Sequence, residues 1–137
     1  AQPLALREKC WPEEKIEALH LESNIYVSSS HGEAFGLPAF DAKLCGNRMI
    51  HVPWGDTKDF ASEWDIALPF ELERVAESYR WEPGAKWASL DFEALVEALR
   101  TVETPVEFRR SEYLESARFD RVGALMRARV EEVLRNA

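Results

Sequence analysis

The hydrophobic and polar positions of residues 25–52 predict a strand, a helix and a second strand. The run NIYVSSS is a short apolar segment that ends in small polar residues, as a buried strand does where it enters a loop. In GLPAFDAKLCG the apolar residues recur at helical spacing, with Pro38 near the start and Gly46 at the end. NRMIHVPWG then predicts the next strand. This order predicts a βαβ unit and therefore a parallel sheet.

The flanking segments predict further helices. WPEEKIEALHLES predicts a short helix, and the acidic run ELERVAE predicts the solvated face of another, whereas DIALPF is compatible with a short strand. SLDFEALVEALRTV predicts a helix capped by Ser89 or Asp91, with an inward stripe of Phe92, Leu95, Val96 and Leu99. The last 26 residues, from EYLESARFD onward, predict an amphipathic helical segment in which Gly123 is a kink or a boundary.

Composition and charge narrow the class of protein. The 137 residues, 46% hydrophobic and 31% charged, suit one globular domain. The net charge of −8 disfavours a protein that binds the phosphate backbone of nucleic acids. Cys10 and Cys45 form no CxxC pair, which favours a reducing compartment. With no apolar run of about 18 residues and no visible signal peptide, we expect a cytoplasmic protein without a transmembrane segment.

The loop at residues 28–36 carries the candidate chemistry. It follows the carboxyl end of a strand and precedes a helix, the place where parallel sheets bind ligands. A helix start offers free N–H groups to a phosphate, and Gly32 and Gly36 allow a ligand close to the backbone. Glu33 and Asp41 then suit the sugar hydroxyls on either side of a diphosphate. The pattern predicts a nucleotide or nucleotide-sugar site; a capped helix that packs on a sheet is the alternative.

The segment GEAFGLPAFDAKLCG resembles the motif of the retaining glycosyltransferases with the GT-B fold, the group that includes glycogen synthase and sucrose synthase. That motif places two acidic residues eight positions apart around a Phe-Gly-Leu-Pro segment, and here the acids are Glu33 and Asp41. HGE, PWGDTKDF and YRWEPGAKWASLDFEALVEALRTV are similar to one subset of this family. The likeness covers about residues 12–103.

The resemblance implies a role for each matching residue. Glu33 would contact the transferred sugar as the catalytic residue, and Asp41 would bind the ribose hydroxyls of the donor. The remaining donor-binding positions would be the backbone at Phe35, Gly36 and Leu37, with His31 as a residue that either lines the site or is structural. The reaction would transfer a glycosyl group from a nucleotide sugar to an unknown acceptor with retention of configuration. No metal and no cofactor besides the donor are expected.

The resemblance also implies that the chain is part of a larger unit. Asp41 is one methylene shorter than the usual Glu, and Ala34 replaces a glycine. The family's basic pair for the diphosphate and its N-terminal domain have no counterpart in the 137 residues. We therefore expect an α/β fold that is the second half of the GT-B C-terminal domain: a partial Rossmann-like parallel sheet with flanking helices in residues 1–104, and C-terminal helices in 105–137. A missing N-terminal domain or a partner polypeptide would complete it.

Three functional hypotheses remain at this point. The first is the donor-binding portion of a retaining glycosyltransferase, inactive as this chain alone. The second is a non-catalytic GT-B-like module that binds a partner chain. The third, a piece of a dinucleotide-binding dehydrogenase, is weak because no GxGxxG follows a predicted strand.

Overall fold

The chain folds into a mixed α/β structure with a small parallel sheet, seen here in a computed structural model that describes residues 11–55, 57–76, 84–103, 115 and 117–136. The helices are α1 (Glu13–Glu22), α2 (Leu37–Cys45), α3 (Thr57–Phe60), α4 (Phe92–Thr101) and α5 (Phe119–Arg135). The strands are β1 (Ile25–Ser28), β2 (Arg48–His51), β3 (Ile66–Ala67), β4 (Phe70–Arg74) and β5 (Lys86–Leu90). Cys10, Tyr79, Trp81, Pro83 and the boundary predicted at 104–105 lie outside the described residues.

The parallel sheet has the order β1–β2–β3. Strand β1 pairs with β2 so that Val27 lies opposite Ile50, and β2 pairs with β3 so that Ile50 lies opposite Ile66. Helix α2 connects β1 to β2, and α3 lies between β2 and β3. The βαβ unit predicted from the hydrophobic pattern, and the parallel pairing that it implies, are confirmed.

Helices cover the two faces of this sheet. Ile50 packs with Leu68 and with Ala98 of α4 on one face, where Ile25 and Leu95 complete the cluster. The neighbouring residues of β2 point to the opposite face because side chains alternate along a strand. There Met49 and His51 are buried, and the buried side of α2 consists of Ala39, Ala42 and Lys43. The core therefore lies in three layers, with β2 at its centre.

The prediction of a helix face at ELERVAE was wrong. Phe70–Arg74 forms β4, which pairs with β5 in an antiparallel hairpin, with Leu72 opposite Ala88. The local sequence FELER alternates apolar and charged residues, which is the period of a strand, and the pairing with β5 decides between the two structures. Gly84, with φ at +86°, precedes β5 in a left-handed conformation that glycine adopts readily.

Helix α4 is confirmed, but part of its predicted inward stripe was wrong. Asp91 caps the helix by accepting a hydrogen bond from the Ala94 amide at 3.0 Å. Phe92 is 70% exposed and Leu99 49% exposed. The face on the core is instead formed by Ala94, Leu95, Ala98 and Val102.

Helix α5 continues through Gly123, so that residue is not the helix boundary that was one of the two predicted possibilities. None of its described side chains is buried, including Leu125, Met126 and Val130. An amphipathic helix of this kind is stabilised mainly by packing of its apolar face. None of the described helices has both the length and the apolar character needed to cross a bilayer.

A buried ion pair connects α2 to the loop before β3. The ammonium of Lys43 lies 2.7 Å from Oδ2 of Asp65, and each side chain is only 1% exposed. Asp65 also accepts hydrogen bonds from the amides of Met49 and Ser62 and from the Ser62 hydroxyl, at 2.7–2.9 Å. The carboxylate is thereby neutralised and hydrogen-bonded inside the core, which is the condition under which a buried charge is tolerated.

His51 lies beside this pair and is also buried. Its Nδ1 is 3.1 Å from the hydroxyl oxygen of Thr57, and that hydroxyl donates to the carbonyl of Val52 at 3.3 Å. Burial lowers the pKa of the His51 imidazole; the Asp65 carboxylate opposes this effect, and the Lys43 ammonium adds to it. The folded state therefore favours the neutral imidazole.

We expect the free energy of unfolding to fall as the pH drops below the ordinary histidine pKa of about 6.5. The unfolded chain then binds a proton that the folded chain resists, until the pH reaches the lowered pKa of His51. The slope cannot exceed about 1.4 kcal/mol per pH unit for one proton. Urea unfolding between pH 7.5 and 5.5 measures this slope. His51→Gln should lose it and His20→Gln should keep it; an equal slope in all three proteins would contradict the assignment.

Candidate functional site

Two loops meet at the carboxyl edge of the parallel sheet. One follows β1 at residues 29–36 and the other follows β2 at residues 52–55. Gly55, with φ at +83°, lies against the backbone of Glu33: a Cβ at Gly55 would lie 2.6 Å from the Glu33 carbonyl oxygen. A Cβ at Gly32 would lie 3.9 Å from Cδ1 of Trp54. The two loops therefore form one surface, as expected where parallel strands end side by side.

Glu33, the predicted catalytic residue, is half-buried in this surface. The hydroxyl of Ser30 donates a hydrogen bond of 2.6 Å to Oε1 of its carboxylate. This distance is that of a charge-assisted O–H···O⁻ bond. Sequence reasoning did not single out Ser30, although a serine three residues before the acid was a visible signal.

Phe35, Gly36 and Leu37 form the start of α2. Gly36 is the N-cap, in the left-handed conformation with φ at +81°. As a glycine it has no side chain that could cap the first helical amides. A Cβ there would lie 3.0 Å from Cγ2 of Thr57 in α3. The Phe35 ring contacts those of Phe40 and Phe60, with ring centres 5.2 and 5.5 Å apart. Aromatic packing therefore stabilises the turn, whereas the Leu37 side chain is exposed.

Asp41 lies one turn along α2, exposed at the edge of a groove of about 330 Å³ between α1 and α2. Ile16 and His20 of α1 and Leu44 of α2 also line this groove. The charges of Glu33 and Asp41 both affect Tyr26 of β1. Burial raises the pKa of its phenol, and the negative charges of Glu33 and Asp41 raise it further. Both acids therefore act electrostatically on Tyr26, a relation that sequence analysis did not find.

His31 is held by the β4–β5 hairpin. Its Nδ1 lies 2.6 Å from the carbonyl oxygen of Ala88, and the Ala88 amide donates to the His31 carbonyl at 2.9 Å. Its ring stacks on Trp87 with centres 4.4 Å apart. Since the carbonyl can only accept, Nδ1 carries a hydrogen. His31 thus ties the site loop to β5.

Two basic side chains of the βαβ unit, Lys43 and Arg48, have partners elsewhere. Lys43 is paired with Asp65 in the core. The Arg48 guanidinium donates to the carbonyl of Trp64, and its Nη1 donates to the carbonyl of Glu103 at 2.9 Å. No group of three or more potential metal-ligating side chains occurs within the described part of the chain. Any phosphate at this surface would therefore meet the start of α2 rather than these two cations.

Comparison with known proteins identified no relative of this chain. The chain matches no family model, no curated protein and no solved structure. A function for this chain must therefore be inferred from the geometry of the site and from the sequence motif.

Proposed function

We propose that this chain is the donor-binding portion of a retaining glycosyltransferase, folded as half of a Rossmann-like domain. The observation that carries the proposal is the arrangement of the loop after β1. It places Glu33 before the start of α2 and Asp41 in its second turn. Between the two acids lies the N-terminus of α2, with its positive dipole end and a glycine N-cap.

Each part of this arrangement suits one part of a nucleotide sugar. The amides at Gly36 and Leu37 and the helix dipole would stabilise the leaving diphosphate. Glu33 would contact the transferred sugar on one side of the diphosphate, and Asp41 would accept hydrogen bonds from the ribose hydroxyls on the other. The backbone of Phe35 contributes to the turn while its ring packs against Phe40 and Phe60.

The sheet itself supports the view that another segment completes the domain. Among the strands of the described residues, β1 lies at one edge of the order β1–β2–β3, and its Val27 is exposed. Parallel sheets are normally covered on both faces and extended by further strands. The basic groups that the diphosphate requires would come from this additional segment, either an N-terminal domain or a partner polypeptide.

The exposed face of α5 favours a second candidate, a non-catalytic module that binds a partner chain. Apolar residues on this helix are exposed along its whole length, among them Val122, Met126, Val130 and Val133. Large exposed apolar surfaces usually mark interaction sites. This candidate predicts that a partner chain co-purifies while nucleotide sugars do not bind.

Calorimetry on the intact protein with UDP, GDP and ADP sugars tests the proposal. We expect at least one donor to bind. Asp41→Ala should weaken its affinity about 10- to 100-fold, because a hydrogen bond to a charged group contributes about 1.5–3 kcal/mol. Glu97→Ala removes an exposed acid on α4, across the sheet, and should bind like the unaltered protein. Heat from none of the three donors would reject donor binding and favour the interaction module.

A further inference from the structure

We infer that Ser30 is a positioning residue that fixes the orientation of the Glu33 carboxylate. The inference rests on the proposed function, because it concerns how the proposed catalytic group is held. Ser30 would not touch the substrate. Its hydroxyl would act through Glu33, by limiting the rotation of the side chain whose carboxylate meets the transferred sugar.

The hydrogen bond between the two side chains is the first observation. Ser30 Oγ lies 2.6 Å from Oε1 of Glu33, and both residues are partly buried. A donor on one oxygen restricts the orientations that the carboxylate can adopt. The short distance marks a charge-assisted bond, which is stronger than a bond between neutral groups.

The backbone of the same loop is held at two other points. The Gly55 backbone packs so closely on Glu33 that a Cβ there would lie 2.6 Å from the Glu33 carbonyl oxygen and 3.4 Å from its amide nitrogen. On the other side, His31 and Ala88 are joined by a backbone hydrogen bond of 2.9 Å and a side-chain contact of 2.6 Å.

With the backbone fixed, the side-chain torsions of Glu33 are the remaining freedom in the placement of its carboxylate. A glutamate side chain has more rotational freedom to lose than most others. The Ser30 hydroxyl restricts this freedom before substrate arrives. Misplacement of a reacting group by about 1 Å can lower a rate about 100-fold. The hydrogen bond should therefore affect turnover more than donor affinity.

Steady-state kinetics of the intact protein tests this inference with three variants. Ser30→Ala should lower kcat about 10- to 100-fold, with KM for the donor changed less than about twofold. Ser30→Thr keeps the hydroxyl and should recover most of the loss. Ser29→Ala removes the adjacent exposed hydroxyl and should match the unaltered protein. Melting temperatures of all variants should agree, because the hydrogen bond is local.

The outcomes separate this inference from the proposal on which it rests. If the unaltered protein transfers sugar and Glu33→Gln does not, but Ser30→Ala retains full kcat, the positioning role is wrong and the function stands. Equal losses in Ser29→Ala and Ser30→Ala would show a general disturbance of the loop and would also overturn the role of Ser30. Absence of transfer by the unaltered protein, assayed together with the segment that completes its domain, would overturn both.

Discussion

Glu33→Gln is expected to lower glycosyl transfer by the intact protein at least about 100- to 1,000-fold, the range seen when one group that stabilises a transition state is removed. Glycosyl transfer passes through a state in which positive charge develops on the sugar ring. The carboxylate of Glu33 would stabilise that charge, and an isosteric neutral amide would not. Initial rates at saturating donor concentration measure the loss.

The fold should survive this substitution. Glu33 is only partly buried, and the amide oxygen of glutamine can still accept the hydrogen bond from Ser30. The matched control is Glu63→Gln, which removes an exposed carboxylate elsewhere in the chain and should leave the rate unchanged. Unchanged turnover in Glu33→Gln would refute the catalytic assignment, whereas a loss in both variants would point to a general effect of charge.

Asp65→Ala is expected to lower the free energy of unfolding by about 3–5 kcal/mol, the usual cost of removing one partner from a buried ion pair. The variant leaves the buried Lys43 ammonium without the carboxylate that neutralises it. It also removes the acceptor for the amides of Met49 and Ser62. Since total stabilities are about 5–15 kcal/mol, this loss approaches complete unfolding, which urea titration followed by circular dichroism would detect.

Two further variants serve as comparisons for Asp65→Ala. Glu63→Ala removes an exposed carboxylate two residues earlier and should change stability by less than about 0.5 kcal/mol. Lys43→Met should cost less than Asp65→Ala, because Asp65 keeps the hydrogen bonds from Met49 and Ser62. If Asp65→Ala lowered the free energy of unfolding as little as Glu63→Ala does, the buried ion pair would not contribute substantially to the stability of the core.

Local patterns predicted the elements that are specified by nearby residues. The strand at 25–28, the helix at 37–45 and the strand at 48–51 each have hydrophobic spacing and end signals within a few residues. Asp91 was one of the two caps predicted for α4, beside Ser89, for the same reason: a capping side chain and the amide that it accepts from are three residues apart. Periodicity and capping are local, so one sequence suffices to find them.

Patterns failed where distant partners decide the structure. The run FELER became a strand because β5 pairs with it, and that partner is more than ten residues away. The inward face of α4 is formed by Ala94, Leu95, Ala98 and Val102, whereas hydrophobicity alone favoured Phe92 and Leu99. Hydrophobic spacing indicates that a helix has an apolar side, but the surface on which the helix packs decides which of its residues are buried.

For the candidate site, the sequence by itself determined the loop, its acids and the helix start that follows, because these lie within one continuous segment of residues 28–46. Only the tertiary structure decided what holds that loop: Gly55 against the Glu33 backbone, and Ala88 and Trp87 on His31. It also paired Lys43 with Asp65, 22 residues apart in the chain. Such contacts join residues far apart in the chain, and folding brings them together through burial of the sheet that lies between them.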